Sequence, residues 1–252
     1  AYVTRPEFGM NYIPAFKTTR CLLIVLASTL LCAACGVSDS ESADQDNALE
    51  YSVNYTLRPD PGKSRMHVTL RLRQPSYLLR ELSFAFDSDA DNVGADGDVR
   101  VRDGKLRWTP PSGGGVLEWE LPLEMKRGDR AFDALLNSEW GIFRAEDVIP
   151  RAQTRTLKGA RSRTTMTFDL PVGWTAISEY SAIQQPIVVD RPGRRFDEPA
   201  GWIVMGNLGV RRETIAGIRV AVAGPEGHDV RRMDMLALLG WTLPELAAIL
   251  PH

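Results

Sequence analysis

Apolar and polar residues alternate with a period of two along much of the chain. Leu49, Tyr51, Val53, Tyr55 and Leu57 are interleaved with Glu50, Ser52, Asn54 and Thr56, and the apolar set is aromatic or branched. That rhythm buries one face and wets the other, so it predicts a half-buried β-strand. After a turn at RPDPGK, Met66, Val68, Leu70 and Leu72 repeat it, and Leu82, Phe84 and Phe86 form a third segment. Val99 and Val101, a hairpin turn at Asp103-Gly104, then Leu106 and Trp108 follow. Leu117, Trp119, Leu121 and Leu123 give another strand, as do Met166, Phe168 and Leu170 before the turn at Pro171–Trp174. Trp202, Val204 and Leu208 suggest a further one, and Ile218, Val220 and Val222 one that ends at Gly224-Pro225-Glu226-Gly227.

Two stretches break the rhythm. AFDALLNSEW favours a short helix over Phe132 to Asn137, with extended chain returning at Gly141–Arg144. The end of the chain turns helical: Met233, Leu236 and Ala237 read as one helix capped by Gly240. Thr242 to Glu245 then reads as a capping box, stapled by Trp241 and Leu246, that starts a second helix cut at Pro251. The fold expected is mainly β: an antiparallel β-sandwich-like domain over residues 49–225. A short helical segment, 226–252, reads as the start of a truncated second domain.

The front of the chain is of another kind. Lys17 and Arg20 precede a fourteen-residue apolar run, Cys21 to Ala34, and the polar, acidic VSDSESADQDN follows. A membrane-spanning helix needs roughly 17–25 residues. The layout is instead that of a secretory signal, for which Met10 would be a conventional start. Leu31-Cys32-Ala33-Ala34-Cys35 resembles the bacterial lipoprotein signal, with Cys32 where an aliphatic residue is usual. Cys35 is the expected lipid-attachment residue; ordinary signal cleavage nearby and an uncleaved short anchor are the other readings. Residues 1–34 would then be upstream sequence and leader, and 35–48 the lipidated cysteine and a flexible linker. Gly36 after the cysteine matches outer-membrane sorting, which places the protein in the bacterial cell envelope as a lipoprotein facing the periplasm.

Composition narrows the function classes. The chain has 252 residues, a formal net charge of -2, and 44% hydrophobic and 25% charged residues. It can bury a real core, and it lacks the basic excess of a nucleic-acid binder. All three cysteines, Cys21, Cys32 and Cys35, sit in or beside the leader. The histidines are His67, His228 and His252; no HExxH or GxSxG is present, so no catalytic, cofactor-binding or metal-ligating set can be assigned. His67 falls on the polar side of its strand, where exposure to solvent is expected. His228 with Glu226 and Asp229 is the nearest approach to a metal cluster, and a helix start capped by Asp229 is the competing reading. The acidic run DSDADNVGADGD does not fit a calcium-loop spacing and reads as a solvated turn. Three arginine pairs, Arg194-Arg195, Arg211-Arg212 and Arg231-Arg232, could clamp carboxylates or phosphates, or serve as surface ion pairs.

The stretches LPVGWTAISEY, RPGRRFDEPAGW, GNLGVRRETIAG and VAGPEGHDVRRMDMLALLGWTLPELAAILP carry a resemblance. They look like exported bacterial proteins distantly similar to the zinc aminopeptidases of the HExxH-plus-distal-glutamate superfamily, the glycyl aminopeptidase-like gluzincins. In that superfamily an N-terminal β domain precedes a helical catalytic domain. The resemblance covers about Leu49 to His252 and stops before the catalytic segment, so no zinc ligand transfers to any residue here. It implies a non-catalytic β domain of a membrane-tethered, zinc aminopeptidase-like protein that scaffolds or positions peptide substrate. Zinc would belong to a missing catalytic domain, and the chain alone would be inactive. The partners expected are the membrane, a peptide and that downstream domain, with no nucleic acid. The competing reading is an envelope lipoprotein that binds protein or carbohydrate without enzymatic activity, the carbohydrate version resting on Trp108, Trp119, Trp140, Trp174 and Trp202.

Overall fold

The structure, a computed structural model, describes residues 49–86, 90–127, 131–180, 185–190 and 194–249. The leader, Cys35, the linker to residue 48, Asp87–Asp89 of the acidic run, Pro251 and His252 lie outside the described residues. In chain order come β1 (Glu50–Asp60), β2 (Arg65–Arg73), β3 (Leu79–Ala85), β4 (Asp91–Ala95), β5 (Asp98–Arg102) and β6 (Lys105–Thr109). Next are β7 (Gly114–Pro122), β8 (Glu124–Arg127), β9 (Ala131–Leu136), β10 (Trp140–Arg144) and a one-turn helix, α1 (Ala145–Val148). Then follow β11 (Ala152–Thr156), β12 (Arg161–Phe168), β13 (Thr175–Ser178) and β14 (Ile187–Val189). The described chain closes with β15 (Trp202–Gly206), β16 (Leu208–Ile215), β17 (Ile218–Pro225) and α2 (Arg232–Ile249).

The strands assemble into a six-stranded sheet (β14-β12-β1-β2-β7-β4), a five-stranded sheet (β13-β15-β10-β9-β8), a four-stranded sheet (β11-β3-β6-β5) and the β16-β17 hairpin. Pairing is antiparallel except between β1 and β12, which run parallel from Glu50↔Arg161 to Leu57↔Phe168. Period two works as expected in the central strands: Tyr51, Val53, Tyr55 and Leu57 are buried, as are Met66, Val68, Leu70 and Leu72 opposite them. Aromatic side chains tie one sheet to the next. Phe84 of β3 lies 5.3 Å from Trp119 of β7, ring centre to ring centre, and Trp119 Nε1 donates to the Val148 carbonyl at 2.9 Å. Trp108 is likewise buried and donates to the Asp96 carbonyl at 2.7 Å. A buried indole N–H thus always finds a carbonyl, as its desolvation requires.

Three local expectations change. Phe132 to Asn137 is not helical: β9 occupies Ala131–Leu136 and pairs with both β8 and β10. Ala and Leu favour helix intrinsically, but burying Ala134 and Leu136 between two strands outweighs a preference of tenths of a kcal/mol. At the C-terminal end, α2 runs through both Gly240 and Pro244 as one helix. The Thr242 hydroxyl donates to the Leu238 carbonyl at 3.0 Å, a bond inside the helix, where a cap was expected. The third change concerns His67, which is half-buried between Glu118 and Glu120 and not open to solvent.

Candidate functional site

The five-stranded sheet ends at β13, whose one partner among the described residues is β15, from Thr175↔Gly206 to Ser178↔Ile203. A strand with one neighbour keeps a row of backbone donors and acceptors free on its other side. Beside the end of β13 runs a groove of about 590 Å³, between Ile177–Tyr180 and the hairpin residues Arg212–Thr214 and Arg219–Ala221. Its lining mixes apolar side chains, Ile177, Tyr180 and Val220 among them, with charged ones. The Ser178 hydroxyl is buried and meets no hydrogen-bonding partner. No ion pair engages Glu179, Arg212, Glu213 or Arg219 among the described residues. Among the described residues the groove therefore offers an open strand edge and charges of both signs, which suits an extended peptide.

The arginine pairs separate in space. Arg194 is committed to Glu198, and the Arg195 carbonyl accepts the Ser162 N–H at 2.9 Å. Arg211, Arg231 and Arg232 gather around a second hollow of about 400 Å³. Arg231 is paired there with Asp234 at 3.4 Å and Arg232 with Glu226 at 3.5 Å, and Arg232 also donates to the Gly224 carbonyl. Arg212 alone of the six faces the groove at β13, together with Arg219, which the pairwise motif does not contain.

The remaining candidates have structural uses. His228 approaches Glu139 at 3.3 Å and stacks edge-on against Trp140, while Glu226 turns to Arg232. His228, Glu226 and Asp229, the nearest approach to a metal cluster in the sequence, do not come together as ligands. His67 presents Nδ1 to Glu120 at 3.4 Å and Nε2 to Glu118 at 4.0 Å. Two carboxylates on opposite ring nitrogens cannot join that histidine around one ion, so zinc does not fit there. Among the described residues no three His, Cys, Asp or Glu side chains come together as metal ligands. Asp91 is bound to Arg65 at 2.7 Å, and Asp96 accepts the Val116 N–H at 2.9 Å, so these two acids of the acidic run serve the sheet. Of the tryptophans, Trp108 and Trp119 are buried in the core, Trp140 packs against His228, and the half-exposed Trp202 lies under Arg144 at 5.0 Å.

Two polar groups are buried deep in the core. Among the described residues the phenols of Tyr51 and Tyr55 have no hydrogen-bonding partner. Burial pushes both pKa values well above the usual phenol value, with Asp197 adding to the effect at Tyr51 and Glu198, then Tyr51, at Tyr55.

β13 and Arg219 are the elements that the sequence pattern misses. Thr-Ala-Ile-Ser is four residues long, directly follows a glycine turn, and carries one large apolar residue. The resembling stretch LPVGWTAISEY includes this strand, and that is the signal which could have marked it.

No protein-family model matches the chain, and no curated protein matches it. Solved structures do. One is an aminopeptidase N family protein from Idiomarina loihiensis, at 11% identity and a TM-score of 0.46, covering 75% of this chain and 35% of that one. Another is an M1 zinc metallopeptidase from Deinococcus radiodurans, at 12% identity and a TM-score of 0.39, covering 76% of this chain and 51% of that one. The chain spans about a third to a half of the length of these structures.

Proposed function

We propose that this chain is the non-catalytic N-terminal β domain of a membrane-tethered, zinc aminopeptidase-like protein, and that it holds peptide substrate in extended form. The observation that carries this reading is the groove at β13, where, among the described residues, the strand edge has no partner and Glu179, Arg212, Glu213 and Arg219 have no ion pair. Backbone pairing along β13 supplies affinity, while Arg212 and Arg219 favour a peptide with a carboxylate opposite them. The sequence resemblance supports the link to aminopeptidases, and the leader ending at Cys35 supports the tether. Zinc and its chemistry belong to a catalytic domain outside this chain.

Titration of fluorescein-labelled extended peptides, followed by anisotropy, tests the reading. Saturable binding is expected, weakened about tenfold by Arg212→Ala and abolished by Ser178→Pro, which removes a strand N–H. Binding that survives both variants unchanged would place the peptide elsewhere and end the proposal.

A further inference from the structure

The outer face of the six-stranded sheet is divided by charge. At one end, Arg58, Lys63 and Arg65 stand among Asp60, Asp91, Glu118 and Glu120. Arg65 meets Asp91 at 2.7 Å and Glu120 at 3.5 Å, and Lys63 meets Asp60 at 3.1 Å. At the other end the acids run out. Ser52 of β1 lies between Arg163 of β12 and Arg73 of β2, and Asn54 lies between Thr165 and Arg71 in the next row. Alternation puts these six side chains on one face, since Val53, Leu72 and Thr164 between them are buried. They outline a shallow hollow of about 340 Å³.

Among the described residues Glu50 is the one carboxylate at this end to pair with these arginines; it reaches Arg163 at 3.1 Å. Arg71 and Arg73 have no ion pair among the described residues. Arg161, opposite Glu50 in register, adds a further positive charge at the rim. Like charges crowded on neighbouring strands repel one another, and the same sheet neutralises its charges a few residues away. A guanidinium cluster on an exposed face, paired among the described residues with Glu50 alone, suits carboxylate or phosphate oxygens.

Its position says which oxyanions. Glu50 and Ser52 open β1, so this is the end at which the chain enters the sheet from the linker. Thirteen residues, 36–48, separate Cys35 from Leu49. Even fully extended, thirteen residues reach at most about 45 Å. If Cys35 is acylated, the linker joins the lipid to this end of the sheet and keeps it within reach of the headgroups. We infer that this face, centred on Arg71, Arg73 and Arg163, docks on a bilayer by binding the phosphates of anionic phospholipid. The inference rests on the tether proposed above. It adds a second, electrostatic signal, which membrane anchoring by acyl chains commonly uses.

The test is vesicle flotation of the processed chain, residues 35–252 with Cys35→Ser, so that no acyl chain contributes and every described strand is kept. Vesicles of phosphatidylcholine, with and without phosphatidylglycerol, are compared. The chain should bind only the anionic vesicles and leave them as NaCl is raised. Each arginine contributes about fivefold, so the triple variant Arg71→Gln, Arg73→Gln, Arg163→Gln should bind on the order of a hundredfold more weakly. Circular dichroism of the variant checks that the sheet persists, as these exposed side chains predict. Equal binding to both vesicle types, or a triple variant that binds like the parent, overturns the inference. So does release by inorganic phosphate at constant ionic strength, which would mark a site for free phosphate. Fatty-acid labelling of the Cys35 form reads the tether separately, so the two ideas fail by different results.

Discussion

Replacing a fully buried core residue should normally cost stability, and Tyr55→Phe should not. Tyr55 is 0% exposed, in the centre of β1, and its hydroxyl has no hydrogen-bonding partner. Folding strips that hydroxyl of water without return, a penalty of about 1–3 kcal/mol. Phenylalanine keeps the ring and its contacts and loses one oxygen, whose lost packing offsets part of the gain. The expected change lies between zero and a gain of about 1 kcal/mol, against a loss of about 3–5 kcal/mol for Tyr55→Ala. Urea unfolding is the assay, with an unchanged slope as the sign that the transition remains comparable.

The same group sets an alkaline limit. Its folded pKa is raised above the ordinary 10.0, first by burial and then by Glu198 and Tyr51. Such a group contributes stability in full below pH 10, and the contribution is lost as pH rises through the folded value. Stability should therefore fall above pH 10, and Tyr55→Phe should flatten that fall. A Tyr55→Phe loss of more than about 1 kcal/mol at neutral pH would show that the hydroxyl is bonded and refute the reasoning.

Two further substitutions test the sheets. Trp119→Phe strands the Val148 carbonyl, which now accepts the indole N–H at 2.9 Å, and should cost about 1–3 kcal/mol by urea unfolding, with the larger values reflecting the smaller ring. Gly114→Ala puts a Cβ at φ +102° against the Leu72 carbonyl, where backbone faces backbone; a loss above about 1 kcal/mol in the same assay is expected, and a neutral result would mean β7 can shift there.

The strands that carry the core could be read from the chain because their chemistry is local. Tyr51–Leu57 and Met66–Leu72 alternate strictly, and alternation alone decides which side chains go inward. Ala131–Leu136 could not be read this way: its residues favour helix, and only β8 and β10 on either side make it a strand. Gly240 and Pro244 carry the signals of a helix end, yet α2 continues through them. The groove was harder still. Its parts come from 177–180, 212–214 and 219–221, and its most telling feature, the free edge of β13, is a property of sheet order. The arginine face shows the same limit. Arg71 and Arg163 are ninety-two residues apart in sequence and become neighbours of Asn54 and Ser52 only through the register of three strands.

Amide hydrogen exchange read by mass spectrometry, on the chain saturated with an extended peptide and supplied with zinc, tests the central claim most directly. The account predicts that exchange slows at Thr175–Ser178, where a new strand partner would cover the open edge, and that the peptide keeps its full mass throughout. Unchanged exchange at β13, or a peptide shortened in a chelator-sensitive way, would contradict it.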